Sequence, residues 1–302
     1  MAKAVRIIGA PTDYGANRRG VDMGPSAIRY AGLDRQVRAA GADCVDIGDV
    51  RAPLMEEREN ATGVNARHVD AVRDVSVRLA DEVAAAIADG EVPLVLGGDH
   101  SVAIGSMAGS ARSAPTGVVW FDAHGDFNTP TTSPSGNVHG MPLAAALGLD
   151  EFAEMDWTTA DGLSEENVAL VGLRDLDENE RDAIRASDVT AYTMSDIDER
   201  GLTTVVQDAL AVAADGVEGI HVSLDLDWLD PNEAPGVGTP VRGGVTYREA
   251  HAAMELLADL DRRYDVLRSL ELVEVNPILD ERNQTAEMAA ELAASALGKR
   301  IL

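Results

Sequence analysis

The sequence has few of the residues that mark disulfide-rich, nucleic-acid-binding or membrane proteins. One of its 302 residues is cysteine, Cys44, so neither an intramolecular disulfide framework nor a cysteine-rich metal site can form. Lysine occurs only at Lys3 and Lys299. No apolar run approaches the roughly 18 residues of a membrane span, and the chain opens on a strand pattern without a signal peptide. We therefore expect a cytoplasmic protein in which Cys44 fills space in a strand.

Acidic residues outnumber basic ones by 52 to 25, which gives a formal net charge of −27. We expect neither nucleic acid nor an anionic membrane as a partner of such a surface. The acidic residues are dispersed through amphipathic segments instead of forming a disordered tail. Dispersed acid with scarce lysine is typical of proteins from salt-accumulating, halophilic cytoplasms, and we expect molar salt to stabilise the fold by screening self-repulsion.

Short apolar runs alternate with amphipathic stretches along the chain. The runs predict strands at 4–9, 43–47, 92–96, 117–121, 168–172, 189–192, 219–224 and 268–275, and the stretches predict helices at 25–40, 64–89, 101–112, 201–215, 246–260 and 283–298. Eight alternations indicate an α/β fold with a parallel sheet. A closed barrel and an open doubly wound sheet fit this pattern almost equally. Nothing marks a domain boundary, so one domain over residues 1–302 is the simpler interpretation.

The stretch Gly117 to Asp126 carries the first chemical signal. Asp122, His124 and Asp126 follow the apolar strand at every second position, so on an extended segment all three side chains point the same way. Two carboxylates and an imidazole at the end of a buried strand repel one another unless a cation lies between them. We interpret the three residues as metal ligands. The alternative is a solvated strand end with a capping Asp.

Two further strand ends carry residues of the same kind. Asp225 and Asp227 follow an apolar run at i and i+2, and burial of two such charges without a cation is costly. His100 follows a Gly-Gly turn, where Ser101 is placed to cap the next helix. The six ligands His100, Asp122, His124, Asp126, Asp225 and Asp227 provide two metals with one imidazole each. This oxygen-rich set suits Mn²⁺, with Zn²⁺, Fe²⁺ and Co²⁺ as alternatives.

Other polar residues have plainer interpretations. Arg18 and Arg19 are expected to be solvated or to form a structural ion pair, with contact to a substrate as the alternative. The histidines within strand or helix patterns, His68, His221 and His251, are expected to be structural. Capping and solvation account for most of Arg174, Asp175, Asp177 and Glu180 at the start of a helix. Trp228 has no explanation in the sequence pattern.

Several motifs together resemble the ureohydrolases, and among them the bacterial-type arginases. These are GGDHS at 97–101, DAHGD at 122–126, SGNVHG at 135–140, SLDLDWLDP at 223–231, EVNP at 274–277 and RRGVDMGPSAIRYAG at 18–32. The resemblance covers essentially the whole chain. It implies a three-layer open doubly wound sheet, mainly parallel and of about eight strands, and an assembly of three or six copies. Trp228 departs from the small residue usual in this family.

The resemblance also implies roles for individual residues. It puts His100, Asp122, Asp126 and Asp225 around one manganese and His124, Asp122, Asp225 and Asp227 around the other, with Asp122 and Asp225 bridging. The expected reaction is hydrolysis of the guanidinium group of L-arginine to L-ornithine and urea by a metal-bridging hydroxide. The catalytic residues would be Asp126, His139 and Glu274, and the substrate-binding residues Asn128, Ser135, Asn137, Asp177, Glu180, Thr239 and Glu274.

Two alternatives remain open at this stage. The first is a ureohydrolase acting on agmatine, guanidinobutyrate or a formimino compound, which would not need Asn128, Ser135 and Asn137 for an amino-acid head group. The second is a non-catalytic metal protein that binds arginine. The intact ligand set and the presence of His139 and Glu274 favour an enzyme.

Overall fold

Eight parallel strands form one continuous sheet in the computed structural model, which describes residues 3–16, 18–53 and 64–300. The strands are β1 (Ala4–Ala10), β2 (Asp43–Asp49), β3 (Val92–Gly97), β4 (Thr116–Phe121), β5 (Val168–Leu173), β6 (Thr190–Thr193), β7 (Gly219–Asp225) and β8 (Leu267–Val273). Their order across the sheet is β2-β1-β3-β8-β7-β4-β5-β6, and every neighbouring pair is parallel. The predicted open sheet is confirmed, and the barrel alternative is wrong.

Ten α-helices occur in the described residues. They are α1 (Gly24–Tyr30), α2 (Leu33–Ala39), α3 (Val69–Ala88), α4 (Ala103–Ala111), α5 (Pro142–Ala146), α6 (Glu178–Ala186), α7 (Met194–Arg200), α8 (Leu202–Ala213), α9 (Tyr247–Tyr264) and α10 (Gln284–Ala296). None of the helices within the described ranges is long and apolar enough to cross a membrane.

Alternate residues of each central strand pack on opposite faces of the sheet, which produces three layers. In β4, Val119 and Phe121 pack in a core with residues of α2, α8, α9 and α10. Val118 and Trp120 pack on the other face, with residues of α4 and α5. All six residues of β4 are buried. This explains why the central strands are continuous apolar runs without polar alternation.

Three predicted boundaries are wrong. The helix predicted at 25–40 is two helices, separated where Gly32 adopts a φ of 87°. The helix predicted at 64–89 begins at Val69. The last strand, predicted to reach residue 275, ends at Val273, because Glu274 has a φ of 64° and turns away from the extended conformation.

The order of the strands determines which residues meet. His100 follows β3, Glu274 follows β8, Asp227 follows β7 and Asp122 follows β4, and these four strands are consecutive neighbours in the sheet. Since carboxyl ends of parallel strands share one edge, residues more than a hundred positions apart in sequence converge there.

Candidate metal centre

Two groups of potential metal ligands share Asp122 at this edge of the sheet. The first consists of His100, Asp122 and Asp225, and the second of Asp122, His124 and Asp227. Within the first group, His100 Nδ1 lies 3.1 Å from Asp122 Oδ2 and 3.1 Å from Asp225 Oδ2. Asp126 Oδ2 lies 2.9 Å from the same nitrogen. All six predicted ligands therefore converge, and a solvated strand end does not describe Asp122, which is fully buried.

The strand alternation that predicted this convergence is only partly correct. β4 ends at Phe121, so Asp122, His124 and Asp126 lie on a loop, and Asp126 has a φ of 49° in the left-handed region. Likewise Asp225 ends β7, but Asp227 belongs to a short 3₁₀ turn, Leu226–Trp228. Tertiary contacts, rather than the pleat of a strand, bring these side chains together.

Backbone N–H groups hold the carboxylates in place. The amide of His124 donates to Asp122 Oδ1 at 2.7 Å, and the amide of Asp227 donates to Asp225 Oδ1 at 2.7 Å. The amide of Ala123 donates to Asp227 Oδ1 at 3.2 Å. Each of these carboxylates keeps a second oxygen, which lies about 3 Å from an imidazole nitrogen, Asp225 Oδ2 at 3.1 Å and Asp227 Oδ2 at 3.1 Å. The loop backbone thus binds one oxygen of each acid and leaves the other oxygen facing an imidazole nitrogen.

His100 has the arrangement expected of a metal ligand. Its Nε2 is engaged by Ser223 Oγ at 2.7 Å. Its Nδ1 is buried among carboxylate oxygens and hydrogen-bonds to none of the described residues. A histidine with one nitrogen fixed by a hydroxyl and the other aimed into a cluster of acids fits a site for a divalent cation.

The charges of the cluster also fit a cation. Burial opposes the charged imidazole, yet the contacts with Asp122 and Asp126 raise the pKa of His100 well above its ordinary value. Burial and the neighbouring Asp122 raise the pKa of Asp126 to about 6, and burial and Asp227 raise that of Asp225. The carboxylates therefore stabilise a positive charge placed among them. A divalent cation supplies it and leaves the imidazoles neutral, the form that binds metals.

A cavity of about 290 Å³ opens above the two groups. All the predicted site residues line it except Asp122, Asp227 and Glu274, which are buried. Asn128 Nδ2 donates to Asp177 Oδ2 at 2.7 Å, and Thr239 Oγ1 donates to Asp227 Oδ2 at 2.9 Å. The structure therefore brings together the predicted ligands and the predicted catalytic and substrate-binding residues.

The rim of the cavity is rich in hydrogen-bonding groups. Ser135 is exposed and its Oγ accepts from the amide of Asn137 at 3.1 Å. Asp177 caps α6 by accepting from the amide of Glu180 at 3.0 Å. Glu180 is itself nearly buried and accepts from the amide of Phe127 at 3.0 Å. Burial raises the pKa of Glu180 to about 8.

His139 and Glu274 form a pair beside the ligand groups. His139 Nδ1 lies 3.1 Å from Glu274 Oε1, which also accepts from the amide of His100 at 3.0 Å. Burial opposes a charged imidazole, but Glu274 raises the pKa of His139 to about 9. The other oxygen of Glu274, Oε2, is buried without a hydrogen-bond partner among the described residues. It is a free acceptor at the site.

Several residues that hold the site together were missed or misassigned. The cap before the turn at His100 is Asp99, not Ser101: Asp99 Oδ1 accepts from the amide of Ser101, and Asp99 Oδ2 accepts from that of Gly15 at 3.1 Å. Burial raises the pKa of Asp99 to about 6. Arg174 is half-buried, and its guanidinium donates to the carbonyls of Val241 and Leu229.

A buried acid behind the site was also missed. Glu271 is fully buried in β8, with Oε1 3.4 Å from His221 Nε2. His221 Nδ1 pairs with Ser269 Oγ at 2.7 Å, in keeping with its predicted structural role. A charged residue within an otherwise apolar run, Leu270 to Val273, was the available signal for Glu271.

Other expectations had simple outcomes. Arg18 and Arg19 are exposed, as expected of solvated side chains, and Arg19 Nη1 lies 3.5 Å from Oδ1 of the buried Asp13. Cys44 is buried in β2. Trp228 is fully buried and packs against Phe121 with ring centroids 4.7 Å apart.

Comparison with known proteins agrees with this geometry. The model of the arginase family matches residues 3–298. The chain belongs to the arginase family. The arginase of Bacillus caldovelox is 48% identical over 305 residues, which cover 99% of this chain and 100% of that protein. Such identity along the whole length extends the family likeness from the motifs to the complete fold.

Solved arginase structures have the same fold. The native arginase structure from Bacillus caldovelox superposes with a TM-score of 0.93 at 47% identity, covering 99% of this chain and 100% of that one. The arginase of Entamoeba histolytica in complex with L-ornithine superposes with a TM-score of 0.87 at 29% identity, covering 98% and 99%.

Proposed function

We propose that the protein is a manganese-dependent arginase, which hydrolyses the guanidinium group of L-arginine to L-ornithine and urea. Membership of the arginase family and 48% identity to a bacterial arginase support the reaction. The observation that carries the proposal is structural: two groups of potential ligands share Asp122 beneath a cavity of about 290 Å³. A cavity of that size suits an amino acid rather than a macromolecule.

The donor set supports manganese as the metal. His100 and His124 provide one nitrogen to each group, and the remaining donors are carboxylate oxygens. Hard oxygen donors with few nitrogens and no thiolate favour Mn²⁺ over ions that prefer sulfur. We propose the sets implied by the family likeness: His100, Asp122, Asp126 and Asp225 for one ion, and Asp122, His124, Asp225 and Asp227 for the other.

Two manganese ions, when bound, lower the pKa of water and supply the strong nucleophile that a resonance-stabilised guanidinium carbon requires. The chain's residues position the substrate and move protons. Asp126, beside His100, takes the proton released by the nucleophile and passes it to the leaving amine. Glu274 Oε2, a buried acceptor without a partner among the described residues, receives an N–H of the guanidinium. His139, held by Glu274, exchanges protons with solvent.

The rim of the cavity is proposed to select an α-amino acid. Asp177 provides a carboxylate for the α-amino group, and Asn128 holds that carboxylate at 2.7 Å. Ser135 and Asn137 offer a hydroxyl and an amide to the α-carboxylate. Glu180 and Thr239 complete the substrate-binding set. The Thr239 hydroxyl donates to Asp227, which couples this part of the rim to the ligand groups.

A substrate panel tests the proposal. Urea release is measured with L-arginine, agmatine and 4-guanidinobutyrate after removal of metal with a chelator and again after addition of Mn²⁺. We expect activity on arginine alone, and only with Mn²⁺. Preference for agmatine or guanidinobutyrate would identify a different ureohydrolase, and tight arginine binding without urea release would identify a non-catalytic arginine-binding protein.

Four further properties belong to the same proposal. The chain acts as one domain over residues 1–302, assembles as a homotrimer or homohexamer, works in the cytoplasm and is adapted to high salt. The family match over residues 3–298 supports the single domain, the motif resemblance implies the assembly, and the net charge of −27 supports the adaptation to salt. Light scattering at several salt concentrations measures the assembly, and cell fractionation measures the location.

A further inference from the structure

Trp120 contacts two of the proposed metal ligands at once. It is fully buried near the end of β4. Its indole stacks on the imidazole of His100, with ring centroids 4.2 Å apart and planes inclined by 8°. Its Nε1 donates to Asp122 Oδ2 at 3.0 Å. That oxygen is the one that lies 3.1 Å from His100 Nδ1, so one side chain restrains both the imidazole and the acid facing it.

Packing alone does not require an indole at this position. Trp228 is equally buried and packs against Phe121, yet its Nε1 has no hydrogen-bond partner among the described residues. The indole N–H of Trp120, in contrast, donates a hydrogen bond to Asp122 at the centre of the site. A phenylalanine would preserve most of the apolar contact of either tryptophan and remove only the N–H and some volume.

We propose that Trp120 is a positioning residue that sets the affinity of the first ligand group for its metal ion. The stacked indole holds the plane of the His100 ring, and the N–H holds one lone pair of Asp122 so that the others face the ion. Both ligands are then ordered before the metal binds, which lowers the cost of binding. Loss of such an outer contact typically weakens metal binding about 10- to 100-fold. The inference rests on the proposed metal-dependent function.

Trp120→Phe is the test, with Trp228→Phe as the matched control, since both remove one indole N–H from a fully buried position. Mn²⁺ binding to the full-length protein, freed of metal by a chelator, is measured by competition with a chelating dye. We expect Trp120→Phe to weaken the site that contains both His100 and Asp122 about 10- to 100-fold, and to weaken the site that shares only Asp122 by less. Trp228→Phe should leave both near wild-type affinity.

Tryptophan fluorescence gives a second readout of metal binding at the site that Trp120 contacts. The sequence has three tryptophans, Trp120, Trp157 and Trp228. In the double variant Trp157→Phe/Trp228→Phe, which leaves Trp120 intact, Mn²⁺ should change the emission with the affinity of one site. This variant keeps the proposal testable if Trp120→Phe fails to fold. An emission that does not change while two Mn²⁺ ions bind would overturn the proposal.

The outcomes separate this inference from the proposed function. If the wild-type protein releases urea with two bound Mn²⁺ but Trp120→Phe binds both ions normally, Trp120 only fills space and the function stands. Equal weakening by Trp120→Phe and Trp228→Phe would likewise show that only packing matters. If the wild-type protein binds no Mn²⁺ and releases no urea, both proposals are wrong.

Discussion

Asn128 Nδ2 donates a hydrogen bond of 2.7 Å to Asp177 Oδ2 across the mouth of the cavity. The bond joins the loop after β4 to the residue that precedes α6, and Asp177 also caps that helix. We therefore expect the pair to act as one recognition element for the α-amino group of the substrate.

Asp177→Asn tests that element, because asparagine can still cap α6 but carries no charge. Loss of a charge-assisted contact of about 1.5 to 3 kcal/mol should raise KM for arginine about 10- to 100-fold, with kcat changed much less. Steady-state urea release measures both constants. Asp182→Asn, an exposed acid on the same helix, is the control. A variant with unchanged KM would exclude Asp177 from substrate recognition.

Asp126→Asn should nearly abolish turnover while the fold persists. Asparagine tolerates the left-handed backbone at this position, where φ is 49°, so the substitution removes a proton acceptor without straining the loop. We expect kcat to fall about 10²- to 10⁴-fold, measured as urea release at saturating Mn²⁺. Circular dichroism and thermal melting check the fold. Substantial remaining activity would reject the proton-transfer role of Asp126.

Gly172→Ala should destabilise the fold strongly. Gly172 has a φ of 103°, and a Cβ there would lie 2.2 Å from Trp228 Nε1. We expect a loss of about 3 kcal/mol from backbone strain and overpacking together. Gly216→Ala is the matched control, because Gly216 also has a positive φ, 69°, but open space around it; it should cost about 1 kcal/mol. Urea denaturation measures the free energy of unfolding of both variants. Equal losses would show that the clash with Trp228 does not contribute to the destabilisation.

His251 should make stability depend on pH. Its Nδ1 pairs with Ser295 Oγ at 2.7 Å between α9 and α10, and burial lowers its pKa from the usual 6.5. The unfolded chain therefore takes up the proton first as pH falls. The stability that neutral His251 contributes is full above 6.5 and is lost as pH falls through the lower, folded value.

His251→Gln removes this titration. The free energy of unfolding of wild type minus that of the variant should therefore decrease from about pH 7 to about pH 5. Urea denaturation of both proteins at several pH values measures the difference. Other titrating groups affect both proteins alike, so a difference that stays constant with pH would show that His251 does not titrate as expected.

Salt should stabilise the protein. With a net charge of −27, repulsion among surface carboxylates opposes the compact state, and molar salt reduces the screening length from about 10 Å to about 3 Å. We expect the melting temperature to rise from dilute buffer to molar KCl. A melting temperature that does not change over this range would contradict adaptation to high salt.

The proposed ligands could be predicted because each follows a buried apolar strand, and an acid or imidazole there is costly without a partner. Their local conformation could not be predicted. The positive φ of Asp126 and the 3₁₀ turn at Asp227 depend on contacts with strands distant in sequence. The position of Trp228 could not be predicted either, because its indole packs against Gly172 of β5.

The family likeness, rather than the hydrophobic pattern, distinguished the open sheet from the barrel. Periodicity reports which faces of an element are buried, and both architectures bury the same faces. Glu271 escaped prediction for a related reason: its partners, Ser106 and His221, belong to other elements.

The last strand in the sequence, β8, lies in the middle of the sheet. β8 is the only described strand that joins the half built from β1, β2 and β3 to the half built from β4 to β7. In the folded sheet, residues 267–273 therefore lie between the half that carries His100 and the half that carries Asp122. The group that contains His100 therefore depends on β8, whereas Asp122, His124 and Asp227 follow β4 and β7, which pair directly with each other.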